Sequence, residues 1–165
     1  MRRKTYVAVI CALLSASAAQ AQVKASGTLN CGKPDVERKI DIGSDHAFVL
    51  NQSKCSAGKD KPFEISGVKS ANGVSTISVD VQGSRSRFRG YYMDTMENGD
   101  KGEYSFQGTA TMKDGAIQLA EDSWELVGGT GKLKGAKGKG TCEGAGAADG
   151  SIAWKCEGEY TLANR

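Results

Sequence analysis

Strict two-residue alternation constrains this chain more than any other feature. Ile152, Trp154, Cys156, Gly158, Tyr160 and Leu162 share one parity, while Ala153, Lys155, Glu157, Glu159 and Thr161 share the other. Successive side chains of a strand point to opposite faces, so this pattern is a strand with one face buried. Ile77, Val79 and Val81 alternate with Ser78 and Asp80 in the same way. So do Tyr104, Phe106, Gly108, Ala110 and Met112 with Ser105, Gln107, Thr109 and Thr111. No segment carries a convincing helical period.

Turn signals divide these runs at short intervals: Asn72-Gly73, Asn98-Gly99-Asp100, Asp114-Gly115, Gly128-Gly129 and Asp149-Gly150. Asn-Gly and Asp-Gly tolerate positive φ and favour tight hairpins. The spacing predicts a meander of about six strands between Phe63 and Leu162, with one or two more around Val23–Leu29 and His46–Asn51. Pro34 and Pro62 fall outside the strand interiors, as their missing amide donors require. About eight short antiparallel strands must deal with two open edges, and closure removes both. The predicted fold is an all-β, antiparallel, eight-stranded up-and-down barrel, with a two-sheet sandwich as the alternative.

Compartment follows from the N-terminus. Met1-Arg2-Arg3-Lys4 precedes the apolar run Tyr6–Leu14, and Ala19-Gln20-Ala21 has the form of an Ala-x-Ala cleavage site. Residues 1–21 read as a bacterial signal peptide, cleaved after Ala21, and the run is too short to span a bilayer. The expected location is the periplasm or outside the cell. Cleavage takes 21 of 165 residues and leaves 144, enough for one domain over 22–165. The chain has 22 Lys and Arg against 19 Asp and Glu, but Arg2, Arg3 and Lys4 leave with the signal. The remainder is neutral, so the basic balance gives no support for nucleic-acid binding. No second apolar run reaches membrane length.

Cys11 leaves too, and Cys31, Cys55, Cys142 and Cys156 remain. An even count in an exported chain reads as two disulfides. Of three pairings, Cys31–Cys55 and Cys142–Cys156 are favoured as neighbours in sequence. The second pair is symmetric about position 149, so a three-residue hairpin loop there would set its cysteines opposite each other. A zinc site is not expected, since there is no Cys-x-x-Cys and His46 is the only histidine.

Chemistry is harder to find. The glycines and lysines from Leu126 to Gly138 fail the phosphate-loop pattern, because Leu126 replaces its first glycine and Leu133 follows the lysine where Ser or Thr belongs. Glycines for a sharp bend, with Lys132, Lys134, Lys137 and Lys139 outside, explain the stretch better. Asp94, Glu97, Asp100 and Glu103 surround the Asn98-Gly99 turn without EF-hand spacing and read as solvated turn carboxylates. His46 has no nucleophile at triad spacing. Asn51-Gln52-Ser53 matches a glycosylation sequon, which the bacterial type of signal discounts. No metal, cofactor or catalytic residue is assigned.

The segment Val127-Gly128-Gly129-Thr130-Gly131-Lys132-Leu133-Lys134-Gly135-Ala136-Lys137-Gly138 resembles the "GGTGKF-x-x-A-R-G" stretch of the dirigent and allene oxide cyclase-like barrel proteins, with Leu133 where that group prefers Phe. The resemblance implies a calycin-type eight-stranded barrel with a partly apolar cavity, often assembled as a trimer or dimer. Its motif is structural and carries over no catalytic residue.

Three functions follow. The first is a non-catalytic barrel binding a small apolar or amphipathic molecule among Ile77, Val79, Phe106, Ile117, Trp124 and Trp154. Tyr92 and Arg87 complete that candidate set. Arg87 belongs only if the Arg85, Arg87, Arg89 face points inward, and the outward orientation is favoured. The second is an envelope protein-interaction or inhibitor module with a filled barrel and an exposed apolar patch. The third is a cyclase or isomerase-type enzyme using Arg87, Tyr92, Asp80 and Glu121, provided they share a pocket.

Overall fold

The computed structural model describes residues 22–114 and 116–163, so the signal-peptide reading of residues 1–21 lies outside the described residues. Ten strands form one antiparallel sheet: β1 (Val23–Cys31), β2 (Val36–Gly43), β3 (His46–Ala57), β4 (Glu64–Ile65), β5 (Val68–Gln82), β6 (Arg85–Met96), β7 (Lys101–Lys113), β8 (Ala116–Gly129), β9 (Lys137–Gly146) and β10 (Ile152–Thr161). Eight of them close a ring in the order β3-β1-β10-β9-β8-β7-β6-β5, with β5 pairing back onto β3. Strands β5 to β10 are the expected meander. The two extra strands, β2 and β4, are appendages on β3 and β5.

The ring is staggered. From His46 the ladder runs through Gln82, Arg85, Thr111, Leu119, Ala145, Ala153 and Asn30, and returns to β3 at Ser56, ten residues from its start. A stagger of this kind tilts the strands by roughly 35–45° to the axis and sets how much room the interior has.

Turn chemistry fixes several registers. Ser44-Asp45 and Ser66-Gly67 are two-residue loops with both central residues at positive φ, which matches strand twist. Gly99 and Gly150 turn at φ 85 and 84, at the expected sites. Two signals misled. Asn72-Gly73 lies within β5, and Gly128-Gly129 ends β8, with the turn following at 130–136. Gly73 serves space rather than φ: a Cβ there would collide with the Tyr92 ring.

Both disulfides form as expected, and both sit on paired ladder positions, Cys31 opposite Cys55 and Cys142 opposite Cys156. One end of the barrel is packed by Phe63, Ile65, Met96, Leu126, Leu133 and Tyr160. The 3₁₀ turn Gly131–Leu133 supplies Leu133 to this plug. The turn is tied to the β6–β7 hairpin, where the Lys101 amide donates to Thr130 Oγ1 at 2.8 Å and the Lys132 amide to Asp100 Oδ2 at 3.0 Å. A second cluster, Val79, Phe88, Ala110 and Ala120, occupies the other half.

Candidate functional site

Alternation decides what reaches the interior. On β9 the inward parity is Gly138, Gly140, Cys142, Gly144 and Gly146, a wall almost without side chains. Large rings lie against it. A Cβ on Gly140 or Gly158 would come within 2.5 Å of Trp124 Cζ2, and one on Gly144 within 2.7 Å of Trp154 Cε3. The rings then pack on one another edge to face: Trp124 with Phe63 and Tyr104, both at 5.7 Å, and Phe88 with Phe106 at 6.2 Å and Trp154 at 6.3 Å.

These rings do not fill the barrel. A cavity of about 110 Å³ remains between them, walled also by Ile77, Val79, Ile117 and both disulfides. Of the residues singled out from sequence, Ile77, Val79, Phe106, Ile117, Trp124, Trp154 and Tyr92 line it together. Arg87 does not. Phe88 points inward, so its neighbour Arg87 is exposed on the outer face beside Asp80 and Thr109. Asp80 and Glu121 are also outside, which dissolves the four-residue catalytic set. His46 Nε2 lies 2.7 Å from Asp80 Oδ1, outside the cavity.

Two carboxyls line the cavity that sequence reasoning had not put there. Asp94, expected in solvent, is 2% exposed. Its Oδ1 accepts from Ser70 Oγ at 2.6 Å and, at 3.5 Å, faces the Tyr92 hydroxyl. Burial pushes its pKa up to about 6, against the pull of those hydrogen bonds. Asp122 is pushed up to about 7 by burial, relieved only by a hydrogen bond from the Cys142 amide. Its Oδ1 is buried without a partner, as are Tyr104 Oη and Trp124 Nε1. Burial raises the Tyr92 and Tyr104 phenols as well. Parity held the missing signal: Asp94 shares the face of Phe88 and Tyr92, and Asp122 that of Trp124 and Leu126. Among the described residues no group of His, Cys, Asp and Glu could hold a metal.

No sequence family and no curated protein matches the chain. Among solved structures it is similar to the pterocarpan synthase dirigent protein PsPTS1, at 12% identity and a TM-score of 0.49, over 88% of this chain and 97% of that one. A second pterocarpan synthase dirigent protein, GePTS1, gives 12% and 0.49 over 96% and 100%. Identity this low carries over no residue role and no activity.

Proposed function

We propose that this protein is an exported binding barrel that holds one small, mostly apolar molecule in its interior. The observation that carries the reading is the incompletely filled core, in which Asp122 Oδ1, Tyr104 Oη and Trp124 Nε1 are buried at the cavity wall without partners. Each such unmade bond costs about 1–3 kcal/mol, so a molecule that meets them is bound in preference to a void. Size limits that molecule. An apolar cavity of about 150 Å³ admits benzene, and about 110 Å³ suits a single small ring or a short branched chain. Two disulfides fit an oxidising compartment. The alternative of an interaction module is tied to a filled barrel, and the cavity of about 110 Å³ supports the binding reading over it.

One observation favours a second reading. Burial pushes the Asp94 and Asp122 carboxyls up to about 6 and about 7, and a carboxyl that keeps its proton inside the cavity is a proton donor. An isomerase or cyclase acting on the same bound molecule would use them.

Native mass spectrometry of protein taken from its own host without denaturation tests the proposal. An extra mass that vanishes on denaturation supports it and identifies the ligand's class. A bare protein, four hydrogens lighter than the reduced chain, counts against it. Incubating the recovered molecule with fresh protein then separates the readings, since binding returns it unchanged and catalysis does not.

A further inference from the structure

The cavity is charged on one side only. Asp94 and Asp122 line it, and among the described residues no Lys, Arg or His does. Alternation sends the bases of the surrounding strands outward: Arg87, Arg89, Lys139 and Lys155 are all exposed. Asp94 has its hydroxyl donors, whereas Asp122 has a free Oδ1. Beside it on β8, two residues and so about 7 Å along the strand, is Trp124, 5% exposed, with its Nε1 unpartnered. Tyr104 is 6% exposed and its hydroxyl is likewise unpartnered.

These features discriminate between ligand charges. An anion would face two carboxyls with no compensating base and would be excluded. A neutral ring would fill the space and leave Asp122 Oδ1 orphaned. A cation would give the carboxylate the counter-charge the protein omits, and aromatic faces attract cations most strongly when water is excluded. We propose that the cavity selects a compact protonated amine, whose ammonium donates to Asp122 Oδ1 while its hydrocarbon body lies among the aromatic rings. This rests on the binding-barrel reading and deepens it. Trp124 Nε1 is a donor for any oxygen the ligand carries.

Besides Asp122, the titratable groups lining the cavity are Asp94 and Tyr92 on β6 and Tyr104 on β7; of such groups β1, β9 and β10 present only disulfide cysteines to it, and β3 and β5 none. Amine binding therefore strengthens as the pH rises from 5 to 8 and Asp122 loses its proton.

The test compares cyclopentylamine, cyclopentanol and cyclopentanecarboxylate for binding to the oxidised protein, by calorimetry and ligand-observed NMR. At pH 8 the amine is expected to bind at least tenfold tighter than the alcohol, and the carboxylate not at all. Asp122→Asn is expected to abolish the amine's advantage while the alcohol still binds, which also reports an intact cavity. If that variant does not fold, the wild-type ratio of amine to alcohol affinity at pH 5 and pH 8 decides, since the alcohol is uncharged at both and the ratio should rise with pH. Alcohol binding as tight as amine binding overturns the charge selection and leaves the binding barrel standing. Failure of all three to bind overturns both.

Discussion

A Cβ at Gly140 would meet Trp124 Cζ2 at 2.5 Å and the Glu157 carbonyl oxygen more closely still. Backbone on one side and a buried ring on the other leave nothing free to give way. Gly140→Ala is expected to destabilise the protein by about 1–3 kcal/mol through overpacking, read as a lowered urea midpoint. Gly32→Ala is the control, since its Cβ would sit 3.7 Å from the Lys54 carbonyl, an ordinary contact. Asp122 carries a different cost. Its carboxyl ionises near 3.8 in the unfolded chain and near 7 when folded, so between those values the native state holds the extra proton. Stability therefore falls as pH rises through that window and is flat above it. Asp122→Asn removes the dependence. The variant should gain on wild type by roughly 1–3 kcal/mol between pH 4 and pH 8; thermal unfolding at both pH values measures it, and a constant difference would contradict the assignment. Asp122 was missed although it shares the parity of Trp124, because an acidic residue read one at a time looks solvated. Asp94 was misread for the same reason, because its neighbours surround an exposed turn.

Among the elements, the contact of β1 with β3 is the shortest junction of the ring, joining only Leu29–Cys31 to Cys55–Ala57. The Cys31–Cys55 bond lies across this junction, whereas Cys142–Cys156 links β9 and β10, already paired from Ile152 to Thr161. The two bonds are therefore unequal. Cys31→Ala with Cys55→Ala is expected to cost about 3 kcal/mol and to lower Tm by on the order of 10 °C. Cys142→Ala with Cys156→Ala should cost less, because the hairpin holds those strands together anyway. Scanning calorimetry of both double variants gives the order, and the reverse order would move the weak junction elsewhere. At this scale the sequence was clear where one face is apolar and silent where neither is buried. Strand β2 is exposed along its whole length, with Val36, Ile40 and Ile42 on one face and Glu37, Lys39 and Asp41 on the other. Its residues alternate although neither face is buried, so alternation there marks the strand without reporting a core face. Gly73 and Gly129 mimicked turns because a glycine that makes room for a neighbour looks, in sequence, like one that turns the chain.

For the whole molecule, closure couples every ring strand to two neighbours, and among the described residues the sheet ends in the appended strands β2 and β4, of which β2 is the long one. Three alternating runs and turn spacing for about eight strands made the barrel legible, since closure is the one arrangement that pairs both edges. The ten-residue stagger was not legible, because it depends on which residue of β1 meets which of β3, far apart in the chain. That long-range pairing predicts how the molecule opens. Ring amides can exchange only when the ring unfolds as a unit, whereas β2 can detach from β3 without breaking closure. Hydrogen exchange of the oxidised protein should show β2 exchanging fast, and β5 to β10 protected together at the global stability. Selective loss of the Cys31–Cys55 bond should then bring β1 and the Cys55 end of β3 into the fast class, while β6, β7 and β8 keep their protection. If all ring strands instead lose protection together, the junction is not a separate opening unit, and the barrel's integrity rests on its ladder rather than on its disulfide.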